Sequence, residues 1–266
     1  QRRVINMVWN YSKILLNYSM LRPRIIPCLL LKGGSLVKTV KFKNPSYVGD
    51  PVNAIKIFNE KEVDELILID ISKTEIPFNT LKKVTRECFM PLSYGGNVRT
   101  IDDMRRLFRM GIEKVIINDL LIDNPQLVRR AIKLFGSQSI VASVDTKKNI
   151  WGVKKVYRHS KKKTIDLSPL EYVKQLVDLG VGEIMLYSVD NDGTWGGMDL
   201  QLINEMSGKV SLPIISCGGV GSIKDIEDSI KSGSSAVAIG SMCVYSKKDM
   251  GVLIRFPKQK EINYEN

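Results

Sequence analysis

The chain has 266 residues, 44% of them apolar, which suits one large α/β domain or two small ones with a sizeable core and argues against disorder. Its 40 Lys and Arg against 28 Asp and Glu give a formal charge of +12, with a single histidine and four cysteines. Cys28, Cys88, Cys217 and Cys243 are widely spaced without a CxxC, and His159 is the only imidazole; this argues against a metal site, a disulfide scaffold or a histidine-dependent triad.

In chain order, residues 1–21 read as an N-terminal extension, possibly non-native, with Met20 as a candidate start; the fold is expected over residues 22–266. No secretory pattern and no run of roughly 18 apolar residues is present, so a cytoplasmic chain with no membrane partner is expected. From residue 24 onward, β-branched runs alternate with stretches of helical period. The strands are RIIPCLLL (24–31), ELILIDI (65–71), MPLSYGG (90–96), KVIIN (114–118), SIVASVD (139–145), EIMLYSVD (183–190), LPIISCGG (212–219) and AVAIGSM (236–242). Between them, PVNAIKIFNEKE, TIDDMRRLFRMG and SPLEYVKQLVDLG have helical spacing, two of them closed by Gly111 and Gly180. Strands apolar on both faces and separated by helices form a parallel sheet, and eight such units predict a (β/α)₈ barrel.

An internal repeat supports the barrel. A shift of 122 residues lays PLSYGGNVRTIDDMRRLFRMGIEKVIIN (91–118) on PIISCGGVGSIKDIEDSIKSGSSAVAIG (213–240) without a gap, and a shift of 115 lays IIPCLLLK (25–32) on IVASVDTK (140–147). Two half-barrels of four units each follow.

The positive charge is local. Residues 1–49 hold nine basic residues and no acid, and the run KKVYRHSKKK (154–163) holds six more; the latter is expected to be part of a basic hairpin at about 148–165. Nucleic-acid binding would need such charge on one continuous face among stacking groups, and no nucleic-acid partner is expected.

Barrel active sites lie at the C-terminal ends of the strands. There the repeat places two glycine pairs, Gly95-Gly96 before Asn97 and Gly218-Gly219, each running into a helix. Asn118 and Gly240-Ser241 would complete one cradle per half-barrel. These glycines either admit phosphate to backbone N–H groups or permit tight turns. Two cradles imply a ligand phosphorylated at both ends.

Through RIIPCL, GDPV (49–52), DELILIDI, FGSQSIVASVD and GEIMLYSVDNDGTWGG, residues 22 to about 245 resemble the cyclase subunit family of imidazole glycerol phosphate synthase. The resemblance implies a barrel without a cofactor, a separate HisH-like glutaminase docked on the N-terminal face, and ammonia passing a charged gate of Arg24, Glu65, Lys114 and Glu183. It implies two catalytic aspartates. Asp145 matches one, but Leu30 stands in the other's place, and the repeat pairs Leu30 with Asp145. Asp192, in DNDGT, matches a further active-site acid or else caps a turn before Gly193. Ser216 or Ser241 is available for a polar contact, and no clear eighth helix follows Tyr245. Loss of one acid–base partner costs about 10²- to 10⁴-fold. The chain therefore most resembles a paralogous branch linked to acetamidino modification of surface-polysaccharide sugars, working with a sugar amidotransferase. The alternatives are a working cyclase using Asp145 and Asp192, and a non-catalytic sugar-phosphate-binding or nucleic-acid-binding scaffold.

Overall fold

The computed structural model describes residues 22–61, 63–248 and 250–264; the expected extension over residues 1–21 lies outside them. Each apolar run named above is a strand. In chain order they are β1 (Arg24–Lys32), β4 (Leu66–Asp70), β5 (Leu92–Gly95), β6 (Lys114–Ile117), β7 (Ile140–Lys148), β10 (Glu183–Ser188), β11 (Ile214–Cys217) and β12 (Ala236–Ile239). All are parallel to their neighbours, and pairing of β1 with β12 closes the ring. The protein is a (β/α)₈ barrel.

Two excursions interrupt the ring. After β1 come β2 (Ser35–Val40) and β3 (Lys43–Gly49), an antiparallel pair that the sequence reading did not anticipate. After β7 come β8 (Lys154–Arg158) and β9 (Lys163–Thr164). Both spring from nine-residue strands at repeat-equivalent positions.

The helices are α1 (Pro51–Glu60), α2 (Phe78–Glu87), α3 (Ile101–Arg109), α4 (Asp119–Asp123), α5 (Pro125–Phe135), α6 (Pro169–Leu179), α7 (Leu200–Ser207), α8 (Ile223–Lys231) and α9 (Ser241–Val244). The repeat recurs in their caps. Thr100 with Asp103, and Ser222 with Asp225, form reciprocal capping boxes that satisfy the first N–H groups of α3 and α8. Gly180 ends α6 in the left-handed conformation, whereas α3 is capped by Met110, with Gly111 one residue further on. α9 is four residues long, and only a 3₁₀ turn at Gln259–Glu261 follows it among the described residues.

Strand alternation divides the apolar side chains between two layers. Ile26 and Cys28 of β1 point to the barrel axis with Ile67, Ile116, Val141 and Met185, while Ile25, Leu29 and Leu31 pack under the helices. Strands with both faces buried carry few polar side chains except at their ends, and that is where the chemistry of this barrel is concentrated.

Candidate functional site

At the N-terminal end of the barrel, Arg24, Glu65, Lys114 and Glu183 converge. Arg24 Nη1 donates to Glu65 Oε2 at 2.5 Å and Nη2 to Glu183. Lys114 Nζ lies 3.0 Å from Glu65 Oε1 and 3.1 Å from Glu183 Oε2. Each cation thus touches both anions, and Ser93 Oγ adds a bond to Glu65 at 2.9 Å. Burial works against the Arg24 charge, but the two carboxylates outweigh it and raise its pKa above the ordinary value. The ring is electrically neutral, which is the condition for holding four charges at the end of an apolar axis.

At the C-terminal end, Leu30 and Asp145 occupy inward positions of β1 and β7. Leu30 is buried, opposite Ile69 and Val37 in the sheet. Asp145 is also buried and accepts a hydrogen bond from Ser143 Oγ at 3.1 Å. Burial pushes its pKa up to about 7; the Ser143 and Asn118 hydrogen bonds oppose the shift, and Asp119 and Asp192 add to it. One group near neutrality can exchange a proton, but no second acid faces it from β1.

Asp192 is enclosed by hydrogen-bond donors. It is 1% exposed. Its Oδ1 accepts from Lys38 Nζ at 2.7 Å and Tyr187 Oη at 3.1 Å, and its Oδ2 from Thr39 Oγ1 at 2.9 Å and the Phe42 N–H at 3.2 Å. Lys38 is buried against it. Burial opposes the ammonium, and Asp192 outweighs that cost, so the Lys38 pKa is raised. This pair pins the β2–β3 hairpin across the barrel mouth. Phe42, at the hairpin tip with φ of 60°, stacks edge-on to Tyr187 at 4.8 Å and reaches His159 at 5.7 Å and Tyr157 at 6.5 Å on the other hairpin.

The two cradles also differ from expectation. Gly96 and Gly219 both have positive φ, and a Cβ on either would run into a backbone carbonyl, of Asp70 and Gly197 respectively; packing alone requires glycine there. Asn97 donates to the Ser72 carbonyl at 2.8 Å and Asn118 to that of Ser143 at 3.3 Å. Beside Asn118, Asp119 sets a carboxylate at the first cradle, bound by Arg158 Nε at 2.8 Å and the Ser160 N–H at 3.3 Å. Burial opposes its ionisation, but those hydrogen bonds outweigh it and hold its pKa below the ordinary range. In the second cradle, Lys38 Cε stands 3.1 Å from where a Gly240 Cβ would be. Gly95 and Gly218 line the strand ends, and Ser241 opens α9. Asp119 and Lys38, each one end of an internal ion pair, thus lie beside the two expected cradles. Ser216 faces outward, with its Oγ 2.8 Å from Ser229 Oγ, so it makes no contact at the mouth. Among the described residues, no three His, Cys, Asp or Glu side chains gather as metal ligands.

Sequence reasoning brought the ring and Asp145 to the two ends of the barrel, and missed Asp119, Arg158, Thr39 and Phe42. For Asp119 a signal existed, since the shift of 122 residues that pairs Asn118 with Gly240 sets it against Ser241.

A neutral charged ring below, and above it a buried Asp145 that no acid on β1 faces, mark the two ends of this barrel. The chain belongs to the histidine biosynthesis protein family, which it matches over residues 24–249. Within that family it is HisF-like. It is 46% identical over 249 residues to a Pseudomonas aeruginosa protein provisionally named imidazole glycerol phosphate synthase subunit hisF2, covering 92% of this chain and 99% of that one. A Leptospira interrogans protein, provisionally named as a HisF subunit of the same synthase, is 39% identical over 91% of this chain and 98% of its own. The imidazole glycerol phosphate synthase subunit HisF of Exiguobacterium sibiricum is 38% identical over 84% of this chain and 91% of its own.

Proposed function

We propose that this chain is the ammonia-conducting barrel of a glutamine-dependent amidotransferase. A separate HisH-like glutaminase docks beneath, and ammonia is delivered for acetamidino group formation on a surface-polysaccharide sugar by a sugar amidotransferase. The observation that carries this reading is the contrast between the two ends: the lower ring keeps all four charges in mutual contact, whereas Leu30 leaves Asp145 without an acid–base partner.

The physical chemistry fits this division. An apolar axis lined by Ile26, Ile67, Ile116, Val141 and Met185 admits neutral ammonia and rejects ammonium, because an unpaired cation there would lose its hydration without replacement. Cyclisation of a substrate phosphorylated at both ends would instead need two open anion cradles and two proton-transfer groups. The Asp119 carboxylate beside one cradle disfavours a phosphate there.

Reconstitution with glutaminase, sugar amidotransferase and acceptor tests the proposal. Arg24→Ala is expected to depress glutamine-dependent amidation while added ammonia restores it. Unchanged glutamine-dependent amidation in Arg24→Ala and Glu65→Ala, with no bypass by free ammonia, would show that no channel operates. In a histidine auxotroph lacking its cyclase, this chain is expected to give no growth; rescue would return it to histidine synthesis.

A further inference from the structure

Eight of the ten large, strongly exposed apolar side chains among the described residues lie on segments at or beside the upper rim of the barrel. They form two prongs. One comprises Val40 and Tyr47 of the β2–β3 hairpin with Met250, Val252 and Leu253. Tyr245, bridged to Val252 and bonded to Ser46 Oγ at 2.9 Å, holds that segment beside β3. The other is the β7–β8 turn, where Ile150 is 91% and Trp151 82% exposed. This turn is built, not loose: Asn149 Oδ1 accepts from the Trp151 and Val153 N–H groups at 2.9 and 3.0 Å, and the Asn149 N–H donates to the Val153 carbonyl at 2.9 Å. A rigid tip that holds two large apolar side chains in water contributes nothing to the fold and marks a contact surface.

Between and around the prongs, Lys41, Lys43, Lys148, Lys161, Lys162 and Lys163 are exposed and have no carboxylate partner among the described residues. The face is contoured. A cavity of about 390 Å³ lies between the β7–β8 hairpin and the segment after β10, lined by Lys148, Lys154, Asp190, Met198, Asp199 and Gln201, among others. A planar bilayer could not fill that cavity. A protein with an acidic rim around an apolar centre complements the face in charge and in shape.

We propose that this upper face docks an acidic protein, with Ile150 and Trp151 as its anchors, and that this protein is the ammonia-consuming amidotransferase. The inference rests on the proposed function, because ammonia leaving the mouth into water would be protonated and lost unless the consuming enzyme covers the exit.

The test measures binding of the full chain to a purified sugar amidotransferase, and separately to the glutaminase, by sedimentation velocity. Ile150→Asp with Trp151→Asp is expected to weaken amidotransferase binding roughly 30-fold or more and to leave glutaminase binding unchanged. Higher salt is expected to weaken the wild-type complex. Equal binding by the variant and the parent, or no wild-type binding, would overturn the docking proposal. So would binding to equal-part phosphatidylglycerol–phosphatidylcholine vesicles that the variant loses, which would assign the tip to lipid. The functional reading is judged separately: tight amidotransferase binding without glutamine-dependent amidation would sink that reading and leave the docking face standing.

Discussion

At the scale of single residues, two buried groups carry opposite consequences. Asp145 has a pKa near 7 in the folded chain against an ordinary carboxyl value of 3.8, chiefly because it is buried. Between those values the native state keeps a proton that the unfolded chain releases, so this residue's contribution to stability falls as pH rises from 4 to 7 and stays lost above. Asp145→Asn removes the charge and leaves an acceptor for Ser143. Its unfolding free energy from urea titration is expected to match the parent's near pH 4 and to exceed it above pH 8, by at most about 4 kcal/mol; parallel pH profiles would contradict this. Lys38→Met strands the Asp192 carboxylate in the interior at a cost of about 3–5 kcal/mol, and Lys38→Met with Asp192→Asn should recover most of it. Denaturant titration of the single and double variants decides the point. Nothing local in the sequence shows this pair, because its partners are 154 positions apart. The position of Leu30 opposite Asp145 was legible because the repeat aligns the two strands.

At the scale of elements, the eight barrel strands and the helices α1, α3 and α6 follow from apolar runs and their caps. Periodicity decides such elements wherever a side chain is either buried or not. The β2–β3 hairpin was illegible for the converse reason. Its tip has Lys41, Phe42 and Asn44 at positive φ, a conformation that local sequence disfavours and that tertiary contacts with Asp192 and Tyr187 impose. The β8–β9 segment is fastened differently. Arg158, 4% exposed, binds Asp119 and Asp123 and so ties this hairpin to α4. Arg158→Ala is therefore expected to raise amide exchange across residues 154–164 and to leave exchange in β1, β4 and β5 unchanged. Uniform acceleration would mean that Arg158 supports the whole barrel rather than one hairpin.

For the whole molecule, the two half-barrels are alike in frame and unlike in chemistry. Each extends its first strand into a hairpin, each caps one helix with the same reciprocal box, and the hairpins meet where Phe42 touches Tyr157 and His159. The halves diverge at Leu30 against Asp145 and at Asp119 against Ser241, so the same frame presents different side chains at the mouth of each half. The axis between the two ends has a further consequence. It is packed with Ile26, Ile67, Ile116, Val141 and Met185 rather than left hollow, so on the proposed route a molecule of ammonia would cross only when these side chains move apart for a moment. Opening such a gap increases volume, and hydrostatic pressure opposes volume increase. Moderate pressure, below that which unfolds the barrel, should slow amidation fed by glutamine more than amidation fed by dissolved ammonia. Equal slowing of both would mean that ammonia does not travel through the breathing of this core.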